Sequence, residues 1–316
     1  MRIFFFNQPM SEYGQSLLYH GLRKLGHDVV TNLPNTFHFT SLAECSERCQ
    51  DASSPCKDLG RTNPTGCSNH PSHLTLDKSR HVYIDSYFNY DLVISNNGHE
   101  AERHRAFIKQ GVPIAALDLG DSPWSALDAW TGVLGTKPNY FFRREMMNGQ
   151  YGSALSYSFY LEKARFRDIS ELDIRVSFLS RPTSPERAMY AQELSKLPGS
   201  FVGQVKHTEY LDTISRSMFS VAVRGAGYDT LRRWEIPAMG SVLCLEESPI
   251  IVNNDFTDGL NCIRFSSPTE LTDKINFYLS DFDKYNKLRL NCYTHFLKYH
   301  TTAKRAEQLL ESCGFG

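Results

Sequence analysis

The stretch RRWEIPAMGSVLCLE (residues 232–246) puts Arg232, Arg233 and Glu235 into the first turn of an expected helix, which stops at Gly240 before a short apolar strand. Arg232 and Glu235 lie one turn apart and share a helix face. A carboxylate placed there accepts hydrogen bonds from two sugar hydroxyls, while a guanidinium addresses phosphate. Just upstream, RGAGYDT (224–230) supplies Arg224, Gly225, Tyr228, Asp229 and Thr230. Glycines at 225 and 227 let backbone N–H groups approach an anion, and the start of the next helix adds partial positive charge. The combination suits a phosphorylated sugar or a nucleotide. The alternative reading is a solvated helix end.

Two more segments follow strand-like runs and carry groups that move protons. NNGHE (96–100) holds His99, which titrates near neutral pH, and DLGDSPW (118–124) holds Asp118 and Asp121. Each can take the proton of an attacking hydroxyl, and Trp124 can stack on a sugar or a base. Aspartate before Ser-Pro is also ordinary turn chemistry. DFD (281–283) offers paired carboxylates, but it falls between two helices, where aspartate caps. No catalytic metal is expected. Cys45, Cys49, Cys56 and Cys67 are separated by three, six and ten residues, with His70 and His73 behind them. Thiolates and imidazoles are what a structural zinc selects, yet no C-x2-C pair is present. Free thiols in a surface insertion are the favoured reading, with zinc next and a disulfide last. Cys244, Cys262, Cys292 and Cys313 sit in apolar or helical contexts and read as packing residues.

The elements that must position these groups follow from periodicity. RIFFFN (2–7) is a buried-strand run, Leu18, Leu22 and Leu25 recur at helical spacing before Gly26, and DVVTNLP begins a second strand. A polar stretch at about 41–80 interrupts as an insertion. DLVISNN, HEAERHRAFIKQG and VPIAALDLGD then resume strand, helix and strand. The pattern blurs through 146–172, and IRVSFLS at 174 opens a second run: a helix at about 185–196, SFVGQV, a helix at about 208–217, FSVAV, the opening helix, SVLCLE and NCIRFS. SPTE (267–270) reads as a capping box, with Ser267 at N-cap, Pro268 at N1 and Glu270 at N3, ahead of helices running to Gly314. Strands interleaved with helices make mostly parallel sheets. The expectation is α/β: two doubly wound, Rossmann-like domains at 1–168 and 169–295, with a helix at 296–316 packing back on the first. In such sheets ligands sit outside the carboxyl ends of the strands, where every loop singled out above falls.

Composition narrows the function. With 41% hydrophobic and 22% charged residues, 316 residues make an ordinary globular chain, enough for two domains of roughly 150 residues. MRIFFFNQPM has too few consecutive apolar residues for a signal-peptide core, and no run approaches the roughly 20 residues of a spanning helix. A cytoplasmic protein is expected. A net charge of -1 leaves no global basic field to recruit nucleic acid.

The run of Arg232, Glu235 and Gly240 followed by SVLCLE resembles the nucleotide-sugar site of GT-B glycosyltransferases, nearest to the spore-maturation CgeB-like group with its R-x-F-E-A-x-A-x-G run. An acidic-glycine loop, FTDGLNCIRF (256–265), and then SPTELTDKINFYL follow in the order of that group, so the resemblance covers about 220–312. It implies two domains facing each other across a cleft, with Glu235 gripping the donor ribose and Asp258 on the donor side. The glutamate that the wider retaining group carries eight residues earlier is Gly227 here. By the same likeness Arg181 in FLSRPTSPER and Lys206 in FVGQVKHTEY neutralise the leaving diphosphate. NYFFRRE (139–145) resembles the segment before the interdomain crossing, with Arg143 and Arg144 binding acceptor or pairing with acids. The implied activity is metal-independent transfer of a sugar from a nucleotide-diphosphate donor, the sole cofactor, to an acceptor hydroxyl. Asp121, Asp118 and His99 are the candidate bases, and Trp124 an acceptor platform. The acceptor is left open among a glycan, a small molecule and a modified nucleobase in DNA. The alternatives are a sugar-nucleotide epimerase or hydrolase of the same shape, and a non-catalytic nucleotide-sugar or glycan-binding module.

Overall fold

Apolar runs bounded by polar residues become strands buried on both faces, which is how parallel sheets covered by helices read. The computed structural model describes residues 1–6, 13–31, 89–96, 101–122, 124–180 and 184–316. Cys45, Cys49, Cys56 and Cys67, with His70 and His73, lie outside them, as do His99 and Arg181. Among the described residues no helix is long and apolar enough to cross a membrane.

The first unit comprises Met1–Ser156 and Thr302–Gly316. Its elements are β1 (Arg2–Phe6), α1 (Tyr13–Lys24), β2 (Asp28–Thr31), β3 (Leu92–Ser95), α2 (Ala101–Lys109), β4 (Ile114–Asp118), α3 (Leu127–Leu134), β5 (Tyr140–Arg143) and β6 (Ser153–Ala154). They form a six-stranded sheet in the order β2-β1-β3-β4-β5-β6, every pair parallel. Phe4, Phe6, Phe107 and Trp130 fill one face, and Phe5, Leu18, Leu22 and Phe142 the other.

The second unit, Tyr157–Thr301, holds β7 (Ile174–Leu179), α4 (Pro185–Leu194), β8 (Ser200–Gly203), α5 (His207–Ser215), β9 (Ser217–Ala222), α6 (Arg232–Ala238), β10 (Val242–Glu246), β11 (Ile263–Phe265), α7 (Pro268–Leu279) and α8 (Phe282–Tyr299). Its sheet is parallel throughout, in the order β11-β10-β9-β7-β8. The last helix, α9 (Thr302–Ser312), belongs to the first unit. It packs on α1 so closely that a Cβ on Gly21 would come 2.0 Å from Thr302 O, and His20 Nδ1 meets Thr302 Oγ1 at 2.9 Å.

Several boundaries differ from the sequence reading. The units part at 156/157 rather than 168, and the returning piece begins at Thr302, because α8 continues unbroken to Tyr299. The stretch 157–172 reads as blurred because it carries single turns, Leu161–Lys163 and Ile169–Glu171, and no strand or full helix. In α7 Ser267 accepts from the Glu270 amide, but the Glu270 carboxylate reaches one residue past the N-cap, to the amide and hydroxyl of Ser266. Asp281 of DFD caps α8 by accepting from the Lys284 amide. The opening helix, α6, has seven residues with Pro237 inside it. Gly240 ends it with φ +70°, and a Cβ there would lie 2.8 Å from Arg165 O.

Candidate functional site in the second unit

The second sheet turns back on itself between β7 and β9: the chain moves outward from β7 to β8, then returns across it to β9, β10 and β11. Such a reversal leaves a crevice at the carboxyl ends, where side chains from both connections meet. Here a cavity of about 480 Å³ lies between the start of α4 and the loop after β9, lined by Arg187, Tyr190, Arg224, Gly225 and Glu246 among others. The Arg187 guanidinium donates to Arg224 O through Nε (3.1 Å) and Nη2 (2.7 Å), which fixes the loop. Arg224 is exposed at the rim, its guanidinium 5.9 Å from the Tyr228 ring centre. The expected cradle of loop amides is not free, however. Arg224 N donates to Glu246 Oε2 (2.8 Å) and Gly225 N to Gly227 O (2.8 Å). One of those donors is bonded within the loop and the other to the end of β10.

Glu235 lies on α6, the helix that follows the loop after β9. It is 9% exposed, and Tyr210 on α5 donates its hydroxyl to Glu235 Oε2 at 2.9 Å. Burial raises the pKa of this carboxyl, and the Tyr210 bond, Arg232 and Lys163 pull it back. Burial likewise pushes Tyr210 well up and lowers Lys163, with Glu235 opposing the latter shift. The nitrogens around the carboxylate are incompletely bonded: Lys163 Nζ and Arg232 Nε are shielded from solvent and have no hydrogen-bond partner among the described residues. Buried polar hydrogens are nearly always matched in a folded protein. Two unmatched cationic donors whose charges act on this carboxylate are groups that a ligand bringing oxygens would satisfy. Arg232 also lowers the Arg187 pKa through its charge, second to burial.

Other residues expected on the donor side have different work. Asp229 is 1% exposed, and its oxygens take the Tyr157 amide (2.7 Å) and Trp234 Nε1 (2.8 Å). It clamps the loop to the chain entering the unit, so the donor contact expected of it is withdrawn. Asp258 accepts from Arg264 N (2.8 Å) and Lys274 Nζ (2.9 Å) and does not line the cavity. Arg233 is fully buried against Asp255. Thr230 O accepts from Arg233 N as α6 begins. Lys206 stays exposed at the N-cap of α5. One turn on, Tyr210 makes the contact with Glu235. Sequence reasoning missed Lys163, Tyr210 and Arg187. A lysine in an irregular stretch and a tyrosine in a short helix carry no local mark of burial.

In the first unit Asp118 ends β4 and accepts from Arg143 Nε (2.9 Å) and Ala126 N (3.0 Å). Arg143, 1% exposed, also donates to Gln150, Ser122 O and Trp124 O. Arg144 is buried as well, donating to Leu119 O, Glu145 and Asp121. Both arginines therefore pair with acids and carbonyls, which removes the acceptor-contact alternative for them. Asp121 is 54% exposed at its side chain and Trp124 81%.

Residues 166–311 match the glycosyl transferase-like family. No curated protein matches the sequence. Three solved structures share the architecture over nearly the whole chain. Anabaena HepE in complex with UDP-glucose is 12% identical, covering 99% of both chains, with TM-score 0.57. An alpha-glucosyltransferase in complex with UDP-glucose and DNA containing an abasic site is 13% identical over 98% of both chains, with TM-score 0.58. A glycosyltransferase from Rickettsia africae ESF-5 is 10% identical over 98% of this chain and 97% of that one, with TM-score 0.58. The two parallel sheets are thus those of the GT-B fold. The family match lies mostly within the second unit, and with it the chain is a glycosyltransferase.

Proposed function

We propose that the chain moves a sugar from a nucleoside diphosphate donor of the UDP-glucose kind to an acceptor hydroxyl, with no metal ion and no cofactor beyond the donor. The observation that supports this most is Glu235 itself, a buried carboxylate held by Tyr210, with Arg232 Nε on the same turn left without a partner. In this reading Glu235 accepts the ribose hydroxyls and Arg232 meets the diphosphate. That contact strengthens as the sugar leaves and negative charge builds on the phosphate. Arg181 and Lys206 join the proposal as further phosphate contacts, since each follows a strand. Asp121 is the proposed base and Trp124 the acceptor platform, both being exposed at the carboxyl end of β4. HepE and the alpha-glucosyltransferase support the donor class through the UDP-glucose they hold. The run from Arg232 to Gly240 supports membership of the CgeB-like group, and a cytoplasmic setting goes with it. For the acceptor, a net charge of -1 favours a glycan or small molecule over DNA.

The test is titration with UDP, GDP, ADP and dTDP, then donor turnover with and without acceptor alcohols, each repeated with a chelator present. One diphosphate should bind, and transfer should persist in chelator. If none binds, the donor reading fails. Turnover that needs no acceptor favours the epimerase or hydrolase, and binding without turnover the binding module.

A further inference from the structure

The peptide of Arg224 is gripped from both sides by side chains that line the cavity. Its carbonyl accepts from Arg187 Nε (3.1 Å) and Nη2 (2.7 Å), and its N–H donates to Glu246 Oε2 (2.8 Å). Each gripping residue stands on backbone that is itself fixed. Arg187 lies in the first turn of α4, where its amide donates to Oγ of the N-cap Ser184 at 3.3 Å. Glu246 closes β10, pairs with Phe265, and is followed by Glu247, whose amide carries the ladder on to Phe265 O (2.9 Å). The pairing of Leu245 with Ala222 brings Glu246 level with the chain as it leaves β9 for the loop. A Cβ on Gly225 would lie 3.5 Å from Arg187 Nη2 and 3.6 Å from Thr230 Cγ2, so the guanidinium and the far end of the loop close on one small residue. Asp229 holds that far end through the Tyr157 amide and Trp234 Nε1. The loop thus leaves β9 under one clamp and enters α6 under another, and α6 is the helix that carries Arg232 and Glu235.

Arg224 is exposed, and Arg187 and Glu246 are half-buried. Hydrogen bonds at so open a rim add little to global stability. What they add is a fixed backbone. With either grip lost, the start of the loop can sample other shapes, and a ligand that needs one of them binds more weakly by the fraction of time that shape is absent.

We propose that Arg187 and Glu246 are positioning residues of the donor site, holding the Arg224 peptide so that the loop delivers α6, with Arg232 and Glu235, to the nucleotide in one preset arrangement. Resting on the donor reading above, this role asks an acceptor oxygen of Glu246 and two parallel donors of Arg187, not a charge of either.

The experiment is calorimetric affinity for UDP, or for whichever of GDP, ADP and dTDP the parent chain binds, together with hydrogen exchange at the Arg224 amide. Both are measured in the parent, Glu246→Met, Glu246→Gln, Arg187→Met and Arg187→Lys. The two methionine variants should bind about 10- to 100-fold more weakly at a melting temperature close to the parent's, and in Glu246→Met the Arg224 amide should exchange at least about tenfold faster. Glu246→Gln still offers an oxygen and should track the parent in both measurements. Arg187→Lys keeps the charge but loses the two-point fork, so it should fall with Arg187→Met. Saturating nucleotide should slow the Arg224 exchange in Glu246→Met back toward the parental rate, because a ligand that prefers the held loop must favour it in return. If Glu246→Gln binds as weakly as Glu246→Met, or Arg187→Lys as tightly as the parent, charge and not position is what the ligand needs and the proposal is overturned. Parental affinity in either methionine variant, or exchange in Glu246→Met that nucleotide leaves unchanged, overturns it too while the donor reading stands. If the parent binds no nucleotide, the donor reading falls and this proposal with it. Should either methionine variant melt well below the parent, Arg187→Leu and Glu246→Leu give the same comparison.

Discussion

Every nitrogen of the Arg143 guanidinium, at the carboxyl end of the first sheet, has an oxygen: Asp118 on Nε, Gln150 on Nη1, and the carbonyls of Ser122 and Trp124 on Nη2. Beside α6 in the second unit, Lys163 Nζ and Arg232 Nε are as well shielded and have none. Both regions bury cationic nitrogens. A saturated network fixes a backbone and leaves nothing for a ligand to gain. An unsaturated one holds its charges at a cost in stability that a ligand can relieve, the usual relation between stability and function. This contrast separates scaffold from site more sharply than residue type does.

Asp121 tests the contrast hardest, because it combines a bond to Arg144 with an exposed side chain. If it is the acceptor base, Asp121→Asn should lower kcat by about 10²- to 10⁴-fold with the melting temperature nearly unchanged. A near-parental kcat would return it to the scaffold. Arg143→Ala should cost about 3–5 kcal/mol of stability in denaturant unfolding, because Asp118, with its side chain 10% exposed, loses its counter-ion. UDP affinity of the folded fraction should stay the same, and a loss of affinity would mean that the saturated region is not mere scaffold.

Glu235→Gln should behave in the opposite way, weakening UDP binding by about 30- to 1000-fold through the loss of charge-assisted bonds. Its melting temperature should not fall, since glutamine still accepts from Tyr210. The sign follows from linkage. Burial raises the folded-state pKa of Glu235 above its ordinary 4.5, so the parent loses stability as pH rises through the window that starts there. The advantage of glutamine should therefore grow from acid toward neutral pH. An advantage that shrinks over that window would contradict the burial argument. Gly240→Ala should have the smallest effect, about 1–3 kcal/mol, from the left-handed backbone and the push against Arg165 O. Because that push displaces the segment bearing Lys163, UDP affinity should drop somewhat as well. Unaltered affinity at reduced stability would show that the segment's exact position does not matter to nucleotide binding.

Much of this architecture was readable from the chain. RIFFFN, VPIAALDLGD and SVLCLE are strands because uninterrupted apolar runs of that length have nowhere to go but a covered parallel sheet. Gly26, Gly111 and Gly240 do adopt positive φ where helices were expected to end. The opening stretch located Glu235 and Arg232 on a common turn for the same local reason, that spacing on a helix fixes which side chains share a face.

Local spacing does not report what arrives from elsewhere in the chain. That Asp229 would be used up by Trp234 and the Tyr157 amide, that Arg143 would be met by four oxygens, and that the segment 161–166 would be tied to α6 by a bond from Arg165 to Ala238 are long-range facts. The sequence by itself determined which segments are strands and helices, and which side chains could bind phosphate or hydroxyl. The tertiary structure decided which of them are already bonded and which are held in readiness, because hydrogen-bond satisfaction depends on the three-dimensional neighbours of a buried group and not on its neighbours along the chain.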